Sequence, residues 1–127
     1  MKANLPKRIS DKWGQGHYGA PRGNHTHHGI DYICLVGQEI ISPVNGKVTK
    51  LGYPYGDDLS FRYVQISSSG YNHRIFYISP LVEVGDLVAV NQPIGTSQDL
   101  GKRYPEITQH IHYEIMVGET YIDPEAV

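Results

Sequence analysis

One cysteine in the whole chain, Cys34, is too few for an internal disulfide or a thiolate zinc cluster. Any metal held here must therefore rest on His, Asp or Glu, and the fold must rest on a packed core, which 127 residues suffice to build as one domain. No stretch approaches the roughly 18 consecutive apolar residues of a membrane-spanning helix. Met1 to Ser10 carries Lys2, Lys7 and Arg8 without the apolar run of a signal peptide, so export, if it happens, is not expected to be encoded there. Charge of one sign is also missing: 11 basic against 13 acidic residues, with no like-charge run, argue against a nucleic-acid partner and against membrane insertion. No window sustains a 3.6-residue apolar period over ten residues, which argues against helices.

What the chain does contain is a series of short runs of strand-forming residues. They cover Ile30–Leu35, Glu39–Ile41, Lys47–Leu51, Arg62–Ser67, Arg74–Ile78, Leu87–Val90, His110–Val117 and Thr120–Ile122. Turn signals such as Ser69-Gly70 and Val84-Gly85-Asp86 bound them, and strands this short pair through hairpins rather than helical crossovers. The expected fold is all-β, a small antiparallel sheet or barrel-like domain with long surface loops. Residues 1–26, with Gly14, Gly16, Gly19 and Gly23 closely spaced, are expected to be an irregular wrap over a β domain spanning 27–127. Two long loops, Gly52 to Ser60 and Ser97 to Thr108, are the expected carriers of specificity.

Chemistry concentrates in two histidine stretches far apart in sequence, His27-His28-Gly29-Ile30-Asp31 and His110-Ile111-His112-Tyr113-Glu114. Side chains alternate along a strand, so His110, His112 and Glu114 share one face while Ile111, Tyr113 and Ile115 share the other. The two imidazoles stand about 7 Å apart, which suits one as a metal ligand and the other as a base beside it. His27 and Asp31 flank Gly29, where the chain can bend so that both side chains converge. His27, Asp31 and His112 make a three-ligand set for one zinc ion with a fourth position open, the pattern of a catalytic site. Glu114 is expected to orient a neighbouring histidine. His17, His25, His28 and His73 read as polar surface or hydrogen-bonded core groups, and Cys34 as a small core residue.

His27-x-Gly29-x-Asp31, then Ser42-Pro43-Val44-Asn45-Gly46, Val84-Gly85-Asp86, Pro93-Ile94-Gly95 and His110-x-His112 resemble, in order, the landmarks of the lysostaphin/LytM-type zinc metallopeptidases. Gly16-His17-Tyr18, His27 to Cys34, Phe76 to Pro80 and Tyr104 to His112 are similar to the leukocyte cell-derived chemotaxin-2 subgroup, from which the chain departs in lacking its disulfide cysteines. The resemblance implies the lysostaphin/LytM (duplicated hybrid motif) fold. It also implies zinc held by His27, Asp31 and His112, with His110 acting on the water or transition state.

The implied substrate is a peptide of bacterial peptidoglycan or another extended peptide or glycan, bound between the two long loops, with Tyr53, Tyr55, Arg103 and Tyr104 as candidate contacts. Tyr77 stands where active members of the family usually carry a second catalytic histidine. A phenol is still a hydrogen-bond donor at neutral pH, so Tyr77 is a candidate stabiliser of an oxyanion beside His110. The same substitution supports the alternative, a catalytically silent binding module or a component of a larger assembly.

Overall fold

The computed structural model describes residues 5–7, 21–22, 25–26 and 28–126. Among them the chain forms twelve strands and two 3₁₀ turns, all strand pairing being antiparallel. In chain order the strands are β1 (Pro21–Arg22), β2 (His25–Thr26), β3 (Ile30–Ile33), β4 (Glu39–Ile41), β5 (Gly46–Gly52), β6 (Tyr63–Ser68), β7 (Tyr71–Phe76), β8 (Ile78–Pro80), β9 (Leu87–Val88), β10 (Pro93–Ser97), β11 (His110–Val117) and β12 (Thr120–Ile122). The expected all-β antiparallel architecture is what forms. Within the expected irregular lead-in, β1 and β2 pair Pro21 with Thr26 and Arg22 with His25; strands of two residues leave no alternation to read.

The large sheet runs β12-β11-β7-β6-β5-β9, with β3 sharing an edge of β11 with β12. A smaller sheet, β4-β10-β8, packs over its inner face. Ile30, Val64, Ile66, Ile75, Ile111 and Ile115 from the large sheet meet Ile40, Ile78 and Ile94 from the small one, each at 0–1% exposure. The alternation predicted for β11 therefore holds: Ile111, Tyr113 and Ile115 face the core, and His110, His112 and Glu114 face the other way. Ser69 and Gly70, both with positive φ, close the β6–β7 hairpin as a two-residue turn whose twist matches the strands.

His73 lies on the core side of β7, 3% exposed, with Nδ1 2.7 Å from the Tyr113 hydroxyl. Burial pushes its pKa down to about 4. An unfolded imidazole protonates near 6.5, so between pH 6.5 and 4 the unfolded chain binds the extra proton and stability falls on acidification, by roughly 3 kcal/mol in all. His73→Gln is expected to flatten the fall in urea-measured stability over that window; an unchanged slope would contradict it.

Candidate functional site

The outer face of the large sheet is ordered by register. Asp31 of β3 lies opposite His112 of β11, which lies opposite Phe76 of β7, then Tyr63 of β6 and Gly52 of β5. Asp31 and His112, 81 residues apart in sequence, are thereby neighbours, with Asp31 Oδ1 2.9 Å from His112 Nδ1. The other carboxylate oxygen of Asp31 lies 3.4 Å from His110 Nε2. One buried carboxylate thus faces both histidines of the His-x-His pair.

Each histidine is held from behind. The His110 Nδ1–H donates to the Thr108 carbonyl at 2.7 Å, which a carbonyl can only accept, so Nε2 is the basic nitrogen of the neutral ring. His112 places Nε2 2.9 Å from Glu114 Oε1, the orienting contact expected of Glu114. Burial disfavours charge on His112, but the hydrogen bonds and negative charges of Asp31 and Glu114 outweigh it and raise its pKa to about 9. Room for this corner depends on Gly29, where an added Cβ would lie 2.3 Å from the Tyr113 carbonyl oxygen and 2.8 Å from His112 Cε1.

Tyr77 reaches the site through an unusual backbone. Phe76 faces outward, so a continuing strand would turn Tyr77 inward to the core. Instead Tyr77 has φ 72°, in the left-handed region, at a cost of about 1–3 kcal/mol for a residue with a Cβ. Its N–H donates to the Arg62 carbonyl and its carbonyl accepts from the Gln98 N–H, both at 2.8 Å, which holds the bend. Both rings then meet the histidines edge-on, Phe76 against His112 at 5.2 Å and Tyr77 against His110 at 5.8 Å. Burial raises the Tyr77 pKa to about 12, so the phenol keeps its proton.

The two long loops meet above Tyr77. Tyr104 donates to the Tyr55 hydroxyl at 2.8 Å, and Tyr55 lies 3.1 Å from the Tyr77 hydroxyl. With Tyr55 accepting from Tyr104, its own proton is available to Tyr77, leaving the Tyr77 proton for another acceptor. Arg103 lies over the Tyr55 ring at 3.8 Å and pairs with Asp57 at 3.3 Å. Of the four expected contacts, Tyr55, Arg103 and Tyr104 come together; Tyr53 does not join them and instead packs under Arg62 at 4.2 Å.

Of the expected zinc ligands the structure brings Asp31 and His112 together, while His27 lies outside the described residues. Among the described residues no group of three or more His, Cys, Asp or Glu is arranged to hold a metal. The donor pair is nevertheless of the right kind. A neutral imidazole nitrogen and a carboxylate oxygen on one tetrahedral zinc, at bond lengths of about 2.0–2.2 Å, lie roughly 3.4 Å apart, so the 2.9 Å contact between His112 and Asp31 would open by about half an ångström to hold the ion.

Residues 25–124 match the family model for peptidase family M23. The chain belongs to that family. It is 34% identical over 114 residues to leukocyte cell-derived chemotaxin-2 of Bos taurus and 32% identical to that of Mus musculus, covering 89% of this chain and 75% of each relative. In fold it is similar to the antimicrobial peptidase lysostaphin from Staphylococcus simulans, with a TM-score of 0.73 and 24% identity over 97% of this chain. It spans about half of that lysostaphin chain, 49%.

Proposed function

We propose that this chain is a zinc-dependent metalloendopeptidase-like domain that hydrolyses peptide bonds of bacterial peptidoglycan. One observation carries the reading: the basic nitrogen of His110 and the Nδ1 of His112 are turned toward the two oxygens of a single buried carboxylate, Asp31. His27, Asp31 and His112 would hold one zinc ion. When bound, zinc supplies a Lewis acid for the scissile carbonyl and acidifies water. His110, its tautomer set by Thr108, takes a proton at Nε2 and returns it to the leaving amine. Tyr77, keeping its proton, donates a hydrogen bond to the oxygen that becomes negative. Glu114 keeps His112 from rotating.

A second reading, a catalytically silent peptide- or glycan-binding or assembly module with the same metal corner, is favoured by Tyr77 itself. A neutral phenol cannot become the cationic donor that a histidine can. The two separate on the release of new amines from purified peptidoglycan by the zinc-loaded protein. Hydrolysis by the parent, lowered about a hundredfold in Tyr77→Phe, is the expected result. No release by the parent together with release by Tyr77→His would establish the silent module instead.

A further inference from the structure

One strand-row away from the metal corner, the outer face of the sheet carries a second ordered set of side chains. Glu114 of β11 lies opposite Arg74 of β7, Arg74 opposite Gln65 of β6, and Gln65 opposite Lys50 of β5. At about 4.8 Å per strand the row extends some 14 Å from the His112 side of the sheet toward β5. It is a strip of hydrogen-bonding and charged groups laid beside the row that contains Asp31 and His112.

The arrangement of the two cations is specific. Arg74 is fixed: its Nε–H donates to Gln65 Oε1 at 2.9 Å, its Nη1 lies 3.5 Å from Glu114 Oε2, and its guanidinium carbon stands 5.5 Å from the Tyr63 ring centroid. These contacts use Nε and Nη1, and the side chain keeps 24% exposure. Lys50 stands 5.7 Å from the same Tyr63 ring and is exposed, with no carboxylate paired to it among the described residues. The Tyr63 ring is itself packed against Phe76 at 4.6 Å and sits over Gly52, where a Cβ would strike it at 2.1–2.5 Å. A rigid aromatic post therefore stands with two cations beside it, while Glu114, the carboxylate of this row among the described residues, serves Arg74 and His112 at its far end.

We propose that this strip, centred on Lys50, Gln65 and Arg74, binds a carboxylate of an extended peptide lying across the outer face of the sheet. The site thereby prefers acidic peptides over neutral ones. This rests on the reading of that face as a peptide-binding groove. The occupant is set by charge: two cations beside a neutral amide complement an anion, and the Gln65 amide, which accepts from Arg74 at Oε1 and donates to Thr49 at 3.0 Å through Nε2, has a second N–H and a second lone pair to offer an extended backbone.

The test is the affinity of the 127-residue chain for two synthetic peptides, acetyl-Ala-Glu-Ala-Ala-amide and its Gln counterpart, followed by NMR titration. The acidic peptide is expected to bind about fivefold more tightly, the scale of a partly exposed ion pair, with the preference shrinking as salt rises. Lys50→Gln, on an exposed side chain, is expected to remove most of the preference without unfolding the protein. Arg74→Gln is expected to act in the same direction. Equal affinities, failure of both peptides to bind at millimolar concentration, or a preference that survives both variants would overturn the assignment. Competition by inorganic phosphate as effective as the acidic peptide would also overturn it, in favour of an unselective anion site. Acid preference without amine release would sink the hydrolase and keep the strip; amine release without acid preference would do the reverse.

Discussion

His110→Ala is expected to lower amine release from peptidoglycan by roughly 10²–10⁴-fold, the usual worth of a positioned general base, while zinc stays bound. The separation of the two effects follows from the geometry. His110 is fixed through Nδ1 to Thr108, and its Nε2 is 3.4 Å from Asp31, whereas the shorter 2.9 Å contact to Asp31 belongs to His112. Removing the ring takes away the base and leaves the donor pair. The variant also removes the His110 hydrogen bond to the Thr108 carbonyl, a local loss of about 1 kcal/mol that should not threaten the fold. Zinc content equal to the parent with activity gone is the predicted pair of readings. Activity within a few-fold of the parent would remove His110 from the mechanism.

Gly29→Ala is expected to be among the most damaging glycine-to-alanine changes at the described residues, costing about 3 kcal/mol, the upper end of what overpacking a well-filled site usually costs. The reason is room rather than backbone conformation. The added methyl would stand 2.3 Å from a carbonyl oxygen of the adjacent strand, which cannot rotate away, and 2.9 Å from His112 Nε2. Relief requires β3 to move off β11, and that pairing is what places Asp31 opposite His112. Melting should fall by about 10 °C and zinc affinity should fall with it. Calorimetry and chelator competition on the same variant check both; unchanged melting and unchanged zinc affinity would mean that the β3–β11 contact is looser than the geometry requires.

The site was legible where side-chain alternation carries information. Gln109 to Met116 alternates cleanly, and that alone placed His110, His112 and Glu114 on one face and three core residues on the other. The strand order was not legible, yet it decides which carboxylate meets which imidazole. Pro93-Ile94-Gly95 lies outside the expected strands but opens β10, with Gly95 there because a Cβ would lie 2.6 Å from the Ser79 carbonyl oxygen. The Arg74–Ile78 run reads as one strand but is broken at Tyr77, whose left-handed backbone no residue preference announces. For the same reason Tyr77 meets His110 rather than the core. Tyr53 and Tyr55 look equivalent in the loop sequence; packing gives one to Arg62 and the other to Tyr77 and Tyr104. The Lys50-Gln65-Arg74 row exists only as register, since its members come from three strands.

The most direct measurement is zinc stoichiometry of the purified protein, read together with amine release from peptidoglycan in the same sample. One zinc per chain, lost on Asp31→Ala or His112→Ala, with amine release that follows the zinc, is the predicted result. A chain that takes up no zinc at neutral pH would contradict the metal corner on which the proposed chemistry depends.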